Sequence, residues 1–465
     1  MTATGERWAR RLRWTGALSL GFVAQVWLVY AVIANLFIGS GMLENLASGD
    51  GEQVLLQYES AWTWLPGRVH VKGLSLRVQD SNIQFHLGID RASLRIDLIS
   101  LTRRTFSASR IEADGVIFHF RHKMLPMGVN EQRAAAYPPI PGFADPPLKA
   151  SYVDAPLTDA NYNLWTVELN DVHASARDLW FMEWRFLGDA TVTGAFRLKP
   201  VRELRIDPTV LSLRNGALSV GAKTVLGSVN GTLETHVGTF DVRSRVGLDV
   251  LQQIDARIDA TGKVATIAPM AAMYVKEPTL QVAAGAGDVS LHVAVKAGRL
   301  TTDSVLEYRS ADVTLQIPQG LVHSDLCAVV RVLSDRLVVG LFVAAADLTL
   351  NDRERLTMRA FAAGADVNGT ALWRPFQVKG GSFSVEKFAV ADLASLQALL
   401  PQGVVLHGGS ANGSAHADVA VAGSPKPPQS GESRRHRHFA ASAARRLTGS
   451  LPSNRSQSAG CGLCG

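Results

Sequence analysis

From Ser81 to Leu98 the chain reads SNIQFHLGIDRASLRIDL, an alternation of apolar and polar residues with a period of two. Ile83, Phe85, Leu87 and Ile89 fall on one side of an extended backbone, and Asn82, Gln84, His86 and Gly88 on the other. The rhythm resumes at Leu94, Ile96 and Leu98, and again in GVIFHF, where Val116, Phe118 and Phe120 share a side. In RVHVKGLSLRV, Val69 and Val71 have one parity and Leu74, Leu76 and Val78 the other. The change falls at Gly73, where a β-bulge is expected to restore the facing. A helix would need apolar residues every 3.6 positions, so residues 60–122 read as consecutive strands with one apolar face.

The same pattern returns from 161 to about 423, in segments such as ATVTGAFRLKP, PTVLSLRNGALSV, DVSLHVAV and ADLTL, separated by Gly, Asn or Asp. The units resemble one another without a fixed period. The 41 glycines suit many strands joined by tight turns. Between 124 and 160 the alternation dissolves around YPPIPGFADPP, and seven prolines there predict a long loop or linker. TIAPMAAMYV and FAVADLASLQALLP read as short helices, the latter stopping at Pro401.

Thr15 to Ile38 is a run of 24 residues without a charge. At ~1.5 Å per residue it reaches about 36 Å, enough for a hydrocarbon core of ~30 Å. Arg7, Arg10, Arg11 and Arg13 precede it, and Glu44, Asp50 and Glu52 follow. That asymmetry predicts a single-pass anchor with a cytoplasmic N-terminus and the bulk of the chain translocated. A cleaved signal peptide competes, but its apolar region should be only ~7–15 residues long.

The net charge of +6 belongs to the end of the chain. Residues 425–465 hold seven basic residues and one acidic residue, leaving 40 of each sign in the remainder. The body therefore gives no sign of a nucleic-acid surface. The segment itself lacks alternation, is rich in Ser, Arg, Pro and Gly, and reads as a disordered basic tail.

Groups that could carry chemistry do not converge. His70, His86, His119, His236 and His292 sit mostly at polar positions of alternating strands, which favours solvent over a shared metal. HGGS at 407–410 lacks a nucleophile-elbow partner, and AAGAGDVS lacks the strand–Gly-x-Gly-x-x-Gly–helix context of a dinucleotide loop. Cys327 reads as a buried thiol, and Cys461 with Cys464 lacks the strand-to-helix setting of a redox pair. Neither catalysis nor a cofactor is expected. Trp62 with Trp64, and Trp180 with Trp184, would share a face in a strand; they could line an apolar channel, meet a membrane interface, or simply pack in a core.

A basic N-terminus, one anchor and then RVHVKGLSLRVQDSNIQFHLGIDRASLRIDLISLTRRTFSASRIEADGVIFHFR together resemble the opening module of AsmA-like and TamB-like envelope proteins. The likeness is close over Trp62–Arg121 and diffuse over 161–423, where only β-rich repetition is shared. It implies a mainly β protein: a transmembrane helix, then a long, curved, repetitive antiparallel sheet forming an open groove. The segments would be a cytoplasmic N-terminus (1–14), an anchor (15–38), an AsmA-like β module (45–123), a proline-rich linker (124–160), a repetitive groove (161–424) and a tail (425–465). The resemblance further implies phospholipid as cargo, the inner membrane as the site of attachment, and outer-membrane assembly proteins as possible partners. Ile83, Phe85, Leu87, Ile89, Leu94, Ile96, Leu98, Val116, Phe118 and Phe120 become candidates for a lipid-facing wall. The alternatives are an envelope assembly factor without cargo, or an adhesin-like β protein with a closed core. A transmembrane β-barrel is disfavoured by the N-terminal anchor.

Overall fold

The computed structural model describes residues 25, 27–40, 54–80, 82–126, 131–149, 165–199, 203–240, 247–266, 268, 281–317, 320–334, 336–350, 354–374, 376–392 and 408–420. The tail 425–465, FAVADLASLQALLP beyond Asp392 and most of TIAPMAAMYV lie outside these residues, as does the anchor run before Gln25; Phe388–Val390, expected to open a helix, end a strand instead.

A short helix, α1 (27–39), comes first. Strands β1 (Val54–Gln57), β2 (Ser60–Leu65), β3 (Arg68–Gln79), β4 (Ile83–Ile96) and β5 (Thr105–His122) follow. After the proline-rich segment come β6 (Thr166–Phe181), β7 (Trp184–Lys199), β8 (Glu203–Val220), β9 (Lys223–Phe240) and β10 (Ile254–Val264). Then come β11 (Gln281–Lys296), the two-residue β12 (Arg299–Leu300), β13 (Val305–Ile317), β14 (Gly320–Leu333) and β15 (Arg336–Leu350). β16 (Glu354–Asn368), β17 (Gln377–Val390) and β18 (Ala411–Ala420) complete one 18-stranded sheet.

The sheet is a meander in which sequence neighbours pair antiparallel. β1 and β2 lie end to end along the same edge of β3. Among the described residues β18 pairs with β17 alone, so the sheet stays open. β5 and β6 break the rule by running parallel. A parallel pair cannot be joined by a hairpin, because the chain must first travel back along the strand. For the 18-residue β5 that return is about 60 Å. The proline-rich segment, expected as a long loop or linker, is this crossover, and one sheet continues on both sides of it.

The alternation reverses parity within several strands, and backbone geometry explains how the facing survives. Gly73 has φ +64 and Gly115 φ +69, a region that favours glycine. A Cβ at Gly115 would run into the Asp90 carboxylate. The bulge expected at Gly73 is absent between β3 and β4, whose register runs unbroken from Arg68–Arg95 to Gln79–Gln84. The reversal there rests on the left-handed residue itself. Elsewhere bulges do occur, at Asp171 (φ 56), Asn215 (φ 45) and Ser228 (φ 50), each inside a register break.

Candidate functional site: an uncharged strip across the sheet

Cross-strand pairing sets side chains in rows on each face. One row runs from Val116 through Ala176, Ala190, Leu213, Gly231 and Ala260 to Leu291, Leu306, Val330, Val339, Ala365 and Gly381. It crosses twelve strands without a polar side chain. A second row on the same face joins Leu76, Leu87, Phe118, Leu179, Phe186, Leu218, Leu226 and Val264. On the other flank run Val71, Ala92, Ala113, Ala174, Val192, Leu211, Leu233, Ile258 and Val293. Further along, Val289, Tyr308, Ala328, Leu341, Ala363 and Phe383 extend the strip to β17.

Packing confirms that these rows share one face. Ala113, Val116, Ala176, Phe186, Ala190 and Val229 are buried together, with Leu87, Ile89, Ala92, Ala174, Leu179 and Leu213 packed around them. Small side chains sit sunk between taller neighbours. Most of the taller ones remain partly exposed. Twelve strands at ~4.8 Å make the strip about 50 Å long, and at least two rows make it on the order of 10 Å wide. Its footprint is therefore on the order of 500 Å² or more, of which the taller, partly exposed side chains are the accessible part.

Ile83, Phe85, Leu87, Ile89, Leu94 and Ile96 lie on β4 and Val116, Phe118 and Phe120 on β5, with all but Val116 half-buried. Phe85 and Phe118 have ring centroids 6.2 Å apart, and Phe120 stacks on Phe181 at 4.6 Å. Leu98 departs from the expectation. It opens a short helix, α2 (Leu98–Leu101), and is 44% exposed. Asp97 diverts the chain by accepting hydrogen bonds from Ile99 N (3.0 Å) and Ser100 Oγ (2.5 Å). The tryptophans also separate. Trp184 pairs with Phe181 on the apolar face, whereas Trp180 stands on the reverse face, because a turn and not one strand lies between them. Trp62 stacks on His70 at 5.5 Å, and Trp64 is 62% exposed. Cys327 is half-buried.

The reverse face of β3–β8 is polar and covered. Arg77, His86, His119, Trp180 and Arg185 form one row there. Asp178 receives Arg185 Nε (2.9 Å) and Nη2 (2.7 Å), and His119 Nε2 lies 3.1 Å from its Oδ2. Burial pushes the Asp178 carboxyl up, but these hydrogen bonds outweigh it and hold its pKa down at about 2. The Arg185 guanidinium lies 4.6 Å above the Trp180 ring. The His86 imidazole is held below its ordinary value, chiefly by burial and then by His119 and Arg77.

The crossover lies over this face. Its described part carries a five-residue helix, α3 (Glu131–Ala135), and buries Tyr137, Pro138, Ile140 and Pro147. Arg121, fully buried, fixes it by donating to Pro138 O (2.9 Å), Ala144 O (2.9 Å), Asp145 Oδ1 (3.0 Å) and Gln84 Oε1 (2.8 Å). Arg77 Nη1 donates to Pro141 O, Trp180 Nε1 to Ala136 O, and Arg133 pairs with the buried Glu183. Proline-rich chain is thus held by its carbonyls, the groups that proline leaves free.

A shallow, open depression on the reverse face of β8–β13 gathers Ser212, Arg214, Asn230, Thr232, Asp259 and His292. His292 and Arg257 both contact Asp259 there. Among the described residues no three His, Cys, Asp or Glu side chains converge to hold a metal. The alternation pointed to β4 and β5 as the candidate wall, and it missed Leu291, Leu306, Val330 and Val339. For Leu291 the alternation of DVSLHVAV was the available signal; the register that aligns all four is not written in any one segment. Neither a protein-family model nor a curated protein sequence matches the chain.

Proposed function

We propose that this chain is a membrane-anchored envelope protein that binds or conducts phospholipid acyl chains along its open sheet, of the AsmA-like and TamB-like kind. The observation that carries the reading is the uncharged row from Val116 to Gly381, unbroken over twelve strands. A ~16-carbon chain in water exposes methylene groups at ~0.8 kcal/mol each, roughly 13 kcal/mol in all. An extended apolar strip removes most of that penalty without any reacting group, and a row of this length holds more than one such chain. The anchor in residues 15–38 would place the sheet on the outer side of the inner membrane, with outer-membrane assembly proteins as candidate partners. No helix among the described residues is long and apolar enough to cross a membrane; residues 15–24 lie outside them.

The test is lipid extraction and native mass spectrometry of the purified full chain, with a photo-crosslinking residue at Leu306 or Leu341. Recovered phospholipid and a lipid adduct at both positions are the expected result. A lipid-free protein whose Leu306 and Leu341 positions crosslink only to protein would overturn the reading.

A further inference from the structure

The first edge of the sheet is held by α1, and the contact is unusual in using a side-chain amide as a strand. Asn35 Nδ2 donates to Thr63 O (2.8 Å) while Thr63 N donates to Asn35 Oδ1 (2.9 Å). The carboxamide therefore reproduces both hydrogen bonds that a neighbouring strand would make with β2. Thr63 is 1% exposed beneath it. Tyr58 Oη donates to Ile38 O (2.5 Å), Trp27 Nε1 to Trp64 O (2.8 Å), and Tyr30 Oη lies 3.4 Å from Thr63 Oγ1. Tyr30, Ala31, Ala34, Asn35 and Ile38, at helical spacing, face the sheet.

The opposite face of α1 has no polar role. Leu28, Val29, Val32, Ile33 and Leu36 are between 48% and 67% exposed, on a helix whose sequence continues an uncharged run back to Thr15. Beside the joint, Trp27, Trp62 and Trp64 are 39%, 40% and 62% exposed. Tryptophan, with an apolar body and a polar edge, can face lipid while its N–H keeps a hydrogen-bond partner, as that of Trp27 does on Trp64 O. Aliphatic chains on one side of a helix, a hydrogen-bonded joint on the other and three tryptophans between them fit one occupant, a phospholipid bilayer.

We propose that the Asn35–Thr63 pairing is a positioning joint that holds β2 against the anchor helix at the membrane, with the outer face of α1 in hydrocarbon and the exposed Trp62 and Trp64 beside it in contact with lipid. This inference rests on the membrane-anchored part of the function proposed above. It adds which edge of the sheet meets the membrane, and which residue holds it there.

The test uses the full chain in vesicles of phosphatidylethanolamine and phosphatidylglycerol, with a photo-crosslinking residue at position 33, 64 or 341. Lipid adducts at 33 and 64 are expected in the natural background. Asn35→Leu should keep the adduct at 33 and reduce that at 64 about tenfold, since two hydrogen bonds are lost. Thr63→Val, which spares both backbone bonds, should change neither. Adducts at 33 without any at 64, or a signal at 64 indifferent to Asn35→Leu, would overturn the joint. A missing adduct at 33 would overturn the bilayer docking. Adducts at 33 and 64 with none at 341 would leave the joint standing and sink the lipid-carrying sheet. If Asn35→Leu fails to accumulate, the natural-background adducts at 33 and 64 still decide.

Discussion

The β3–β9 half and the β11–β17 half share a face and differ in what stands behind it. In the first, the strip is made of Leu and Phe as well as Ala, and the reverse face carries Arg77, His86, His119, Trp180 and Arg185 under the crossover. In the second, the strip is mostly Leu, Val, Ala and Gly, with Tyr308 and Phe383 as its aromatic members. The row behind it reads Ser290, Glu307, Val329, Gly340, Gly364 and Ser382. One half is braced by hydrogen bonds and ion pairs from a second layer of chain. Among the described residues no second layer crosses the other, whose reverse face carries the cross-strand and in-strand pairs Arg336–Asp366 and Arg309–Glu307. An open apolar face can therefore be held in two ways, by polar contacts to a covering segment or by polar contacts within the sheet itself.

The sharpest way to break this difference is Arg121→Ala. It strands Gln84, the carbonyls of Pro138 and Ala144, and Asp145 at once, for a loss of about 3 kcal/mol or more. Hydrogen exchange should accelerate across β3–β8 and stay unchanged across β13–β17. Placing a charge in the strip sharpens the contrast further. Val116 is 9% exposed inside the packed cluster, so Val116→Asp should lower stability by roughly 3 kcal/mol. Val339, half-exposed, should tolerate Val339→Asp at about 1 kcal/mol. Denaturant midpoints of the two variants measure the gap.

A smaller effect follows from Asp178. Its folded pKa of about 2 lies below the ordinary 3.8, so its contribution is present above pH 3.8 and is lost as pH falls toward 2. Thermal midpoints of the natural chain should drop over that window, and Asp178→Asn should flatten the slope. The smallest effect belongs to the exposed pair of Asp90 with Arg177. Asp90→Asn should change stability by less than ~1 kcal/mol, within the scatter of a denaturant titration.

Much of this was legible in the chain, for stated reasons. Period-two alternation is a property of single strands, so β3, β4 and β5 and the facing of Phe85, Leu87 and Phe118 follow from local pattern. Gly73 and Gly115 announce their left-handed turns by lacking a Cβ, whereas Asp171, Asn215 and Ser228 do so only weakly. Leu98 fits the period, but the Asp97 cap overrides it. The crossover was legible as irregular chain. Its role as a cover was not, because Arg121 recognises backbone carbonyls that every sequence possesses. The long row is likewise a product of register, which depends on turns and bulges summed over twelve strands.

The lone parallel pair, β5 with β6, has a consequence for how the chain reaches this form. Among the described residues every other strand pairing is antiparallel and joins strands next to each other in sequence or one short strand apart, the kind of contact that closes quickly because little chain entropy is lost. Two zippers can therefore close on their own, one ending at β5 and one beginning at β6. Their union waits for the crossover to lie down over the reverse face and for Arg121 to find its carbonyls. The slowest event in assembly is then a clasp between two finished fabrics, and the side that bears the clasp is the side turned away from the strip.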